Sequence, residues 1–567
     1  MKACLAVFVL LASVVLLSPN AYAGEIRGKV VSVIRGEPLR QIEVSVLELK
    51  VSVVTAADGS FTLSNLPNGN FTLRVSAVGY RLVTLPIELT AGADQKEVSV
   101  TLAPGNFRRT ETVEVKGDLY QLAGAAVPGQ LTLNAAELRE ASTVLANDPF
   151  RAVQALPGVS ATQNNDFFAQ ISVMGAPPDK VSVYFDDVLV RLPFHTLPGI
   201  ADGASLSVLN SETIESINLM PVAFPERFGD ATGGALQFQT RDGSRTRPMF
   251  TVSAGLADSE VTGEGGVGGA GKGSWLASAR KSYMGYLVRR SGGDPFTDVA
   301  FEDGSLRLTY DLTPRNNVTI YAMDGHTDIN RTVPDNDPNA LLAGGNDFTL
   351  ARLGWRSLIT PHLLLETHGV YMRETFAQKN PFSQLLSRES YGEWVGGTRA
   401  TWSWREGNVL EAGYTARRLR DGQTQFEYTD QGPVQLPGLK ATGLRQSGYA
   451  QQASSFFHQR LHLMAGLRWD KLEQVGSQPV SPQVSGALQL LPKTQIQFGY
   501  GRYAQLPDVS FLGSTCFHPP APVTFPVELW ERSTHYTVGV EQRFGDNIRF
   551  QVQGFDRENH PVLGGGC

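Results

Sequence analysis

The second half of the chain repeats short runs in which apolar and polar side chains alternate. Leu461 to Trp469 places Leu, Leu, Ala, Leu and Trp on one face and His, Met, Gly and Arg on the other. A strand with one face in lipid and one in water alternates in this way, and an Arg on the lipid face costs about 2–4 kcal/mol at the membrane midplane. The same pattern recurs at Thr398–Trp404, Gln495–Gly501, Tyr536–Phe544 and Ile548–Gly554. It predicts transmembrane β-strands whose charges face a wet interior.

The connections between these runs alternate mostly between tight turns and much longer loops. Short turns on one side and long loops on the other are typical of transmembrane β-barrels. A soluble β-propeller is the competing all-β architecture, but it lacks this asymmetry. The tight turns are Pro314–Asn316, Thr360–His362, Glu406–Asn408, His458–Arg460, Pro492–Thr494 and Gly545–Asn547.

Composition favours a β-rich protein and excludes a nucleic-acid-binding one. Gly (58 residues) and Pro (32 residues) are abundant, and only 18% of residues are charged. The net charge of -6 is small for this length and provides no basic footprint for DNA or RNA.

The first residues have the form of a secretory signal peptide. Lys2 precedes an apolar run from Leu5 to Leu17, and Ala21-Tyr22-Ala23 offers a small-residue cleavage site before Gly24. The alternative, a membrane anchor, is disfavoured because the run is too short to span a bilayer comfortably. We therefore expect residues 1–23 to be removed and the mature chain to be exported.

Residues 24–103 predict a small β-sandwich. Short strand-like runs alternate with turns such as Ala57-Asp58-Gly59 and Pro67-Asn68-Gly69, whose residues tolerate turn geometry. The motifs Asp58-Gly59-Ser60-Phe61 and Leu66–Phe71 resemble the carboxypeptidase regulatory-like domain. The resemblance implies a spacer or docking module without chemistry of its own. The predicted strands are Ile26–Val33, Ile42–Leu49, Val51–Thr55, Ser60–Leu63, Asn70–Ala77 and Glu97–Leu102.

The segment from Pro157 to Gly243 resembles the plug domain of TonB-dependent outer-membrane receptors. The resemblance implies a plug at 117–244 and a transmembrane β-barrel at 245–567. Within the plug, the sequence predicts a helix at Ala135–Ala146, ended by Asn147-Asp148-Pro149, and a second short helix at Phe150–Ala155. Two positions depart from the family pattern: Met174 replaces its usual Arg and Asp187 its usual Gly. The residues that carry the match are Gly175, Asp186, His195, Glu226, Arg227, Gly229, Gly233 and Gly234.

The same resemblance assigns roles to several residues. In the linker 104–116, the strand-like run Glu111, Thr112, Val113, Glu114, Val115 occupies the place of the TonB box, which the energy-transducing protein TonB captures by adding a β-strand. Its alternative is a last strand of the sandwich. Glu226 and Arg227 are expected to hold the plug to the barrel wall as a polar lock, or else to be ordinary solvated charges. His195 is expected to be a loop or packing residue and not a metal ligand.

The function implied is energised uptake of a ligand, such as a siderophore or carbohydrate, across the outer membrane of a Gram-negative bacterium. Its partners are TonB, outer-membrane lipid and an unknown extracellular ligand, with the N-terminal domain in the periplasm and no cofactor. A non-transporting adhesin or signalling receptor on the same scaffold is the alternative.

The strand count predicts an incomplete barrel. The short turns are periplasmic only if the run from Ile548 to Arg557 is the fifteenth strand, whereas single-chain bacterial barrels have even numbers and plugged transporters about 22. The chain ends in Gly564–Cys567 without the family's aromatic terminus. We expect a C-terminally truncated product, the alternative being a smaller closed barrel.

Motifs for enzymatic chemistry are missing or incomplete, so the sequence predicts no catalytic or metal site. No His has Glu three residues later, and the His458–His462 pair has Gln where a zinc protease needs its base. Gly266–Lys272 has phosphate-loop spacing but is followed by Gly273 and a strand-like run. Asp335-Asn336-Asp337 is read as a solvated loop, with Ca²⁺ binding as the alternative.

Overall fold

The first part of the chain forms the predicted sandwich of two sheets. One sheet has the order β4-β1-β7, with β1 and β7 parallel, and the other has the order β3-β2-β5-β6. Alternate residues of most of these strands, including Ile26, Val44 and Leu73, face a common core and are buried, and Val53 of β3 packs against it. The strands are β1 (Gly24–Ser32), β2 (Glu43–Val46), β3 (Val51–Val54), β4 (Ser60–Leu66), β5 (Gly69–Ser76), β6 (Val83–Leu89) and β7 (Gln95–Leu102).

Strand β6 is absent from the sequence prediction, and its position explains why. Pro86 interrupts the pattern there, because proline cannot donate a ladder hydrogen bond. The strand lies at the edge of its sheet and pairs only with β5, with Pro86 opposite Thr72. An edge position tolerates the missing donor.

The computed structural model describes residues 24–560, with gaps. The gaps are 33–37, 41, 50, 77–82, 90–94, 103–126, 136, 139–146, 162–168, 192, 197–203, 256–257, 284, 287–289, 291–296, 332–336, 361, 406, 437–439, 458–459, 474–475, 492, 507–529 and 545–547. The TonB-box candidate Glu111–Val115, most of the helix predicted at Ala135–Ala146, and Asp335-Asn336 therefore lie outside the described residues. The chain divides into two units, 1–116 and 117–567.

The plug is built on a five-stranded mixed sheet of order β12-β11-β16-β15-β8. A short helix, α1 (Pro149–Gln154), lies where the sequence predicts one, and the Asp148 side chain caps its first turn by accepting a hydrogen bond from Phe150 N. The strands are β8 (Leu131–Asn134), β9 (Val159–Ala161), β10 (Ile171–Val173), β11 (Val181–Phe185), β12 (Val188–Val190), β13 (Phe194–Thr196), β14 (Ala204–Ser207), β15 (Ile214–Met220) and β16 (Gly234–Thr240).

The remaining strands form one large antiparallel sheet, called the wall below. Its path runs through fifteen strands in chain order in the described residues, and β26 pairs only with β25. The strands are β17 (Met249–Ala254), β18 (Asp258–Val267), β19 (Gly273–Ser282), β20 (Thr297–Thr313), β21 (Asn316–Arg331), β22 (Ala343–Thr360), β23 (Leu363–Lys379), β24 (Leu385–Arg405), β25 (Asn408–Thr429), β26 (Gly432–Leu436), β27 (Lys440–Phe456), β28 (Leu461–Leu472), β29 (Val480–Leu491), β30 (Thr494–Gln505), β31 (Glu531–Phe544) and β32 (Ile548–His560).

The wall wraps around the plug. Asn147 of the plug donates a hydrogen bond to Glu260 of β18, near one end of the sheet, and Arg557 of β32, at the other end, donates to the carbonyl of Gly233. Within the described residues no strand pairing joins β17 to β32. The predicted position of β32 as the fifteenth strand is confirmed.

The predicted alternation along the wall strands is confirmed. On β31, Tyr536, Val538 and Val540 are about half exposed on the outward face, whereas His535 and Glu541 are buried on the inner face toward the plug. Several central strands are 16–22 residues long, well beyond the ten or so that cross a bilayer. They therefore continue past the apolar band at the end that carries the long loops.

No helix in the described part of the chain is long and apolar enough to cross a membrane.

Candidate functional site

The interface between the plug and the inner face of the wall is the candidate functional site. Part of it is apolar: the plug core continues into Tyr321, Met323 and Leu350 of the wall, and Phe185 of the plug packs on Tyr321 with ring centroids 4.9 Å apart. The rest is polar, with charged side chains from both sides meeting in pairs. These pairs decide how firmly the plug is held.

Asp187, in the turn between β11 and β12, forms a two-pronged ion pair with Arg399 of β24. Its two carboxylate oxygens lie 2.8 and 3.1 Å from the Arg399 Nη1 and Nη2 atoms. Glu366 of β23 also accepts from Arg399, 2.9 Å from its Nε atom. Burial raises the pKa of Asp187, but the combined effect of Arg399, Arg227 and Arg352 outweighs burial and holds it well below its usual range. The position that departs from the family pattern is thus a main attachment point of the plug.

Asp230 provides a second attachment, in the loop that follows β15. Its Oδ2 atom lies 2.5 Å from Nη1 of Arg445 on β27 and 3.9 Å from Nη1 of Arg417 on β25. Burial raises the pKa of Asp230, but Arg445 and then Arg417 outweigh burial and lower it. A carboxylate is therefore maintained here, and it faces wall strands next to those that hold Asp187.

Two plug cations face wall acids. Arg191, just after β12, lies 3.3 Å from Asp421 and 3.4 Å from Glu389 of the wall. Lys180 Nζ lies 2.5 Å from the Glu531 carboxylate at the start of β31. Burial lowers the pKa of Lys180, but its hydrogen bonds to Glu531 and Asp179 outweigh burial and raise it. Ion pairs therefore hold the plug at well-separated points around the wall.

His195 lies on β13 and is buried against the wall. Its Nδ1 atom is 2.8 Å from Thr327 Oγ1, its Nε2 atom is 3.0 Å from Asp303 Oδ2, and its ring stacks on Phe301. Burial lowers the pKa of His195, and the opposing effect of Asp303 does not restore it. The sequence predicts a loop or packing residue at this position; the structure places His195 on a strand, stacked on Phe301 and in polar contact with two wall strands.

The prediction of a polar lock at Glu226 and Arg227 needs correction at Glu226. Glu226 is fully buried, and neither oxygen of its carboxyl group has a hydrogen-bond partner among the described residues. Its hydrogen bond to the wall is made by the main chain, whose carbonyl accepts from Arg468 Nη1 at 3.1 Å. Burial raises the pKa of Glu226 well above its usual range. An unpaired buried carboxyl is costly when charged, so this group does not act as half of an ion pair.

Arg227 makes contacts within the plug. Its guanidinium lies 4.5 Å from the ring centroid of Phe228, and its Nη2 atom is 3.5 Å from Gln237 Oε1. Sequence reasoning missed the residues that make the ion pairs in its place: Lys180, Asp187, Arg191 and Asp230. One sequence signal could have pointed to these residues. Several arginines lie at inner-face positions of the predicted wall strands, and buried arginines need acidic partners, which the plug can supply.

The plug glycines allow close approach between chain segments. A side chain at Gly229 would meet the Arg468 guanidinium at 2.3 Å, and one at Gly233 would meet Ala176 Cβ at 2.5 Å and the Lys180 carbonyl at 2.9 Å. Gly175 and Asp186 lie in turns at positive φ, and Asp186 accepts hydrogen bonds from the main chain and side chain of Thr240. Gly234 begins β16.

A cavity of about 50 Å³ separates the plug from strands β23 to β28. It is lined by Asp187 and Asp230 and by four arginines, and this volume accommodates a few water molecules. The cavity therefore has room for water beside these charged groups. The four arginines are Arg227, Arg417, Arg445 and Arg468.

Two family models match the chain. One, described as TonB dependent receptor-like, beta-barrel, matches residues 243–559. The chain belongs to the TonB-dependent receptor family. The other, the carboxypeptidase regulatory-like domain, matches residues 25–103 and confirms the sandwich assignment. No curated protein matches the sequence.

Solved structures of TonB-dependent receptors share the fold at low identity. A variant of the ferric enterobactin receptor PfeA from Pseudomonas aeruginosa is 12% identical, with a TM-score of 0.58 over 76% of this chain and 71% of that chain. The siderophore receptor PirA from Acinetobacter baumannii is 14% identical (TM-score 0.57; 76% and 71%). The outer membrane transporter YddB from Escherichia coli is 13% identical (TM-score 0.56; 78% and 71%). These likenesses establish a plug within a β-barrel wall.

Proposed function

We propose that this receptor takes up a ligand across the outer membrane by TonB-driven displacement of its plug. The observation that carries the proposal is the polar attachment of the plug. Its contacts with the wall include ion pairs at Lys180, Asp187, Arg191 and Asp230, and Asp187 and Asp230 also line a cavity with room for water. Ion pairs next to water can be broken and remade, whereas a fully apolar interface resists separation.

In this proposal the sandwich domain lies in the periplasm and the long loops face the exterior. Ligand binding at the long-loop end makes the segment Glu111–Val115 available to TonB, which adds its own strand to it. Force derived from the inner-membrane proton gradient then separates the ion pairs and moves the plug. A siderophore is the first ligand class to test, because PfeA and PirA are siderophore receptors.

The coupling step is tested by replacing Val113 with Pro. Proline lacks the N–H that a captured strand donates, so V113P should abolish binding of the TonB periplasmic domain to the purified full-length receptor. V113A is the matched control, because it shortens the side chain and keeps the N–H. Isothermal titration calorimetry measures the affinity, and equal affinity of V113P and the parent would refute capture at this segment.

Uptake is then measured in cells with radiolabelled ferric enterobactin as the probe. Energised uptake should require the proton gradient and the backbone N–H of Val113, so it should be lost in V113P and kept in V113A. TonB binding without gradient-dependent uptake of any probe would favour the alternative, a non-transporting surface or signalling receptor on the same scaffold.

A further inference from the structure

The outward face of strands β23, β24, β25 and β27 carries basic but no acidic side chains. Pairing across these strands aligns Arg373, Gly392 and Arg420 in one row, and Tyr371, Trp394 and Arg418 in the next. All acidic residues of the four strands lie at positions of the opposite parity, toward the inner face. These acids are Glu366, Glu374, Glu389, Glu393, Glu411, Asp421 and Glu427.

The basic residues form one exposed group, called the outward basic patch. None of its members has an ion-pair partner among the described residues, unlike Arg399, Arg417 and Arg445 on the inner face of the same strands. Strand spacing places Arg373 and Arg420 about 10 Å apart, and Arg418 and Arg420 about 7 Å apart. The patch consists of Arg373, Arg388, Arg418, Arg420 and Lys440, all exposed.

The height of the patch follows from the aromatic residues of β24. Trp394 packs on Tyr371, and Trp402 and Trp404 lie 8–10 residues further toward the short-turn end. All three Trp are about half exposed or more on the outward face. At a strand tilt of about 40°, this separation spans about 20–25 Å, the height of the apolar band of an outer-membrane barrel between its two aromatic girdles. The Arg373–Arg420 row lies about 7 Å along the strand beyond Trp394, at the level of lipid headgroups on the long-loop side.

The patch is local and is not a ring around the wall. On neighbouring strands, the outward positions at the same height carry Glu302, Asp324 and Asp347, with His326 hydrogen-bonded to Asp347 at 2.7 Å. The nearest outward acid on the other side is Glu473, which receives a hydrogen bond from Leu444 N. Charge is therefore sorted into an acidic and a basic sector.

An open notch lies at the centre of the patch. Gly392 sits between Arg373 and Arg420 in the pairing, and a side chain there would meet nothing within 4 Å. The notch lies between the strand positions of Arg373 and Arg420, and Trp394 lies two residues further toward the short-turn end. Guanidinium groups bind phosphate with paired hydrogen bonds, and an aromatic base at the interface suits an acyl chain.

We propose that the outward basic patch binds the phosphate groups of a phosphorylated glycolipid in the outer leaflet of the outer membrane. Charge complementarity supports this occupant: several unpaired cations lie at headgroup height, above a face that meets acyl chains. The proposal goes beyond uptake and does not depend on TonB capture. Each basic residue removed near an anionic lipid surface should weaken binding about five-fold.

The test compares two double variants of the full-length receptor with equal charge changes. R373Q/R420Q removes the two cations that flank the notch, and K281Q/R502Q removes two outward cations elsewhere on the wall. Bis-phosphorylated lipid A is titrated into each detergent-solubilised protein, and bound lipid is counted by native mass spectrometry. R373Q/R420Q should lose about 25-fold in affinity, whereas K281Q/R502Q should match the parent.

Three further measurements distinguish binding through charge, through phosphate and through the acyl chains. R373K/R420K keeps the charge and should retain most of the affinity, which excludes misfolding as the cause of the loss. Dephosphorylated lipid A and inorganic phosphate should both bind weakly, because the site needs phosphate and acyl chain together. Unchanged affinity in R373Q/R420Q, equal loss in K281Q/R502Q, or full binding of dephosphorylated lipid A would each overturn the proposal.

Discussion

The carboxylate of Asp187 accepts hydrogen bonds from both terminal nitrogens of Arg399, at 2.8 and 3.1 Å, and so ties the β11–β12 turn of the plug to β24 of the wall. Paired bonds of this kind fix orientation as well as distance. Asp187 also lines the cavity, which has room for a few water molecules. The attachment is therefore specific in its geometry, and it lies next to space that water can occupy.

Asp187→Asn should loosen the plug. The neutral side-chain amide of Asn cannot accept both hydrogen bonds from Arg399 as the carboxylate does, and Arg399 loses one of its two acidic neighbours. We expect the plug attachment to weaken by about 1–3 kcal/mol. Hydrogen exchange of residues 181–190 should increase measurably in the purified receptor. Asp179→Asn is the control because Asp179 is largely exposed, and an equal increase in that variant would contradict the assignment.

Acid should release the plug through Asp187 and Asp230. The pKa values of both groups are lower in the folded state than in the unfolded state, so their stabilisation is complete above the unfolded value of about 3.9 and is lost as the pH falls through the folded values. The urea midpoint of plug release should therefore fall below about pH 4. In D187N/D230N this part of the pH dependence should vanish; a pH profile like the parent's would show that other groups control it.

Glu226→Gln should be tolerated or stabilising. The folded pKa of Glu226 is raised, so the charged form is disfavoured and the group costs stability once the pH exceeds its unfolded value of about 4.3. Removing the charge should leave the free energy of unfolding nearly unchanged at pH 4 and raise it by about 1–2 kcal/mol at pH 8.

Glu393→Gln is the matched comparison for Glu226, because Glu393 is equally buried but bonded to Arg417. It should destabilise at both pH values by leaving Arg417 underpaired. Destabilisation of E226Q as large as that of E393Q would indicate a partner for Glu226.

Gly233→Ala should disrupt the plug. The new methyl would lie 2.5 Å from Ala176 Cβ and 2.9 Å from the Lys180 carbonyl, so the backbone must shift, at a cost of about 1–3 kcal/mol. Gly396→Ala is the control, since a side chain there meets nothing within 4 Å on the outward face. Thermal unfolding measures both, and similar melting temperatures would argue against tight packing at Gly233.

The sequence by itself determined the sandwich and the alternating wall strands, because their signals are local, and it indicated the plug through its resemblance to a known family. Period-two alternation, turn residues and glycine spacing depend on near neighbours along the chain. The one sandwich strand that the sequence did not predict, β6, was also missed for a local reason. Pro86 interrupts its strand pattern, and a proline is tolerated there only because β6 lies at the edge of its sheet.

Only the tertiary structure decided which charges meet. Asp187 and Arg399 are distant in the chain, and nothing in the sequence distinguished Arg399 as the partner of Asp187 from the other inner-face arginines. The tertiary structure also distinguishes two nearby acids. Glu226 is buried and its carboxyl group has no hydrogen-bond partner among the described residues, whereas Asp230, four residues later, pairs with Arg445. Such pairings depend on how the plug is turned within the wall, and that orientation is the sum of many contacts that no single stretch of sequence contains.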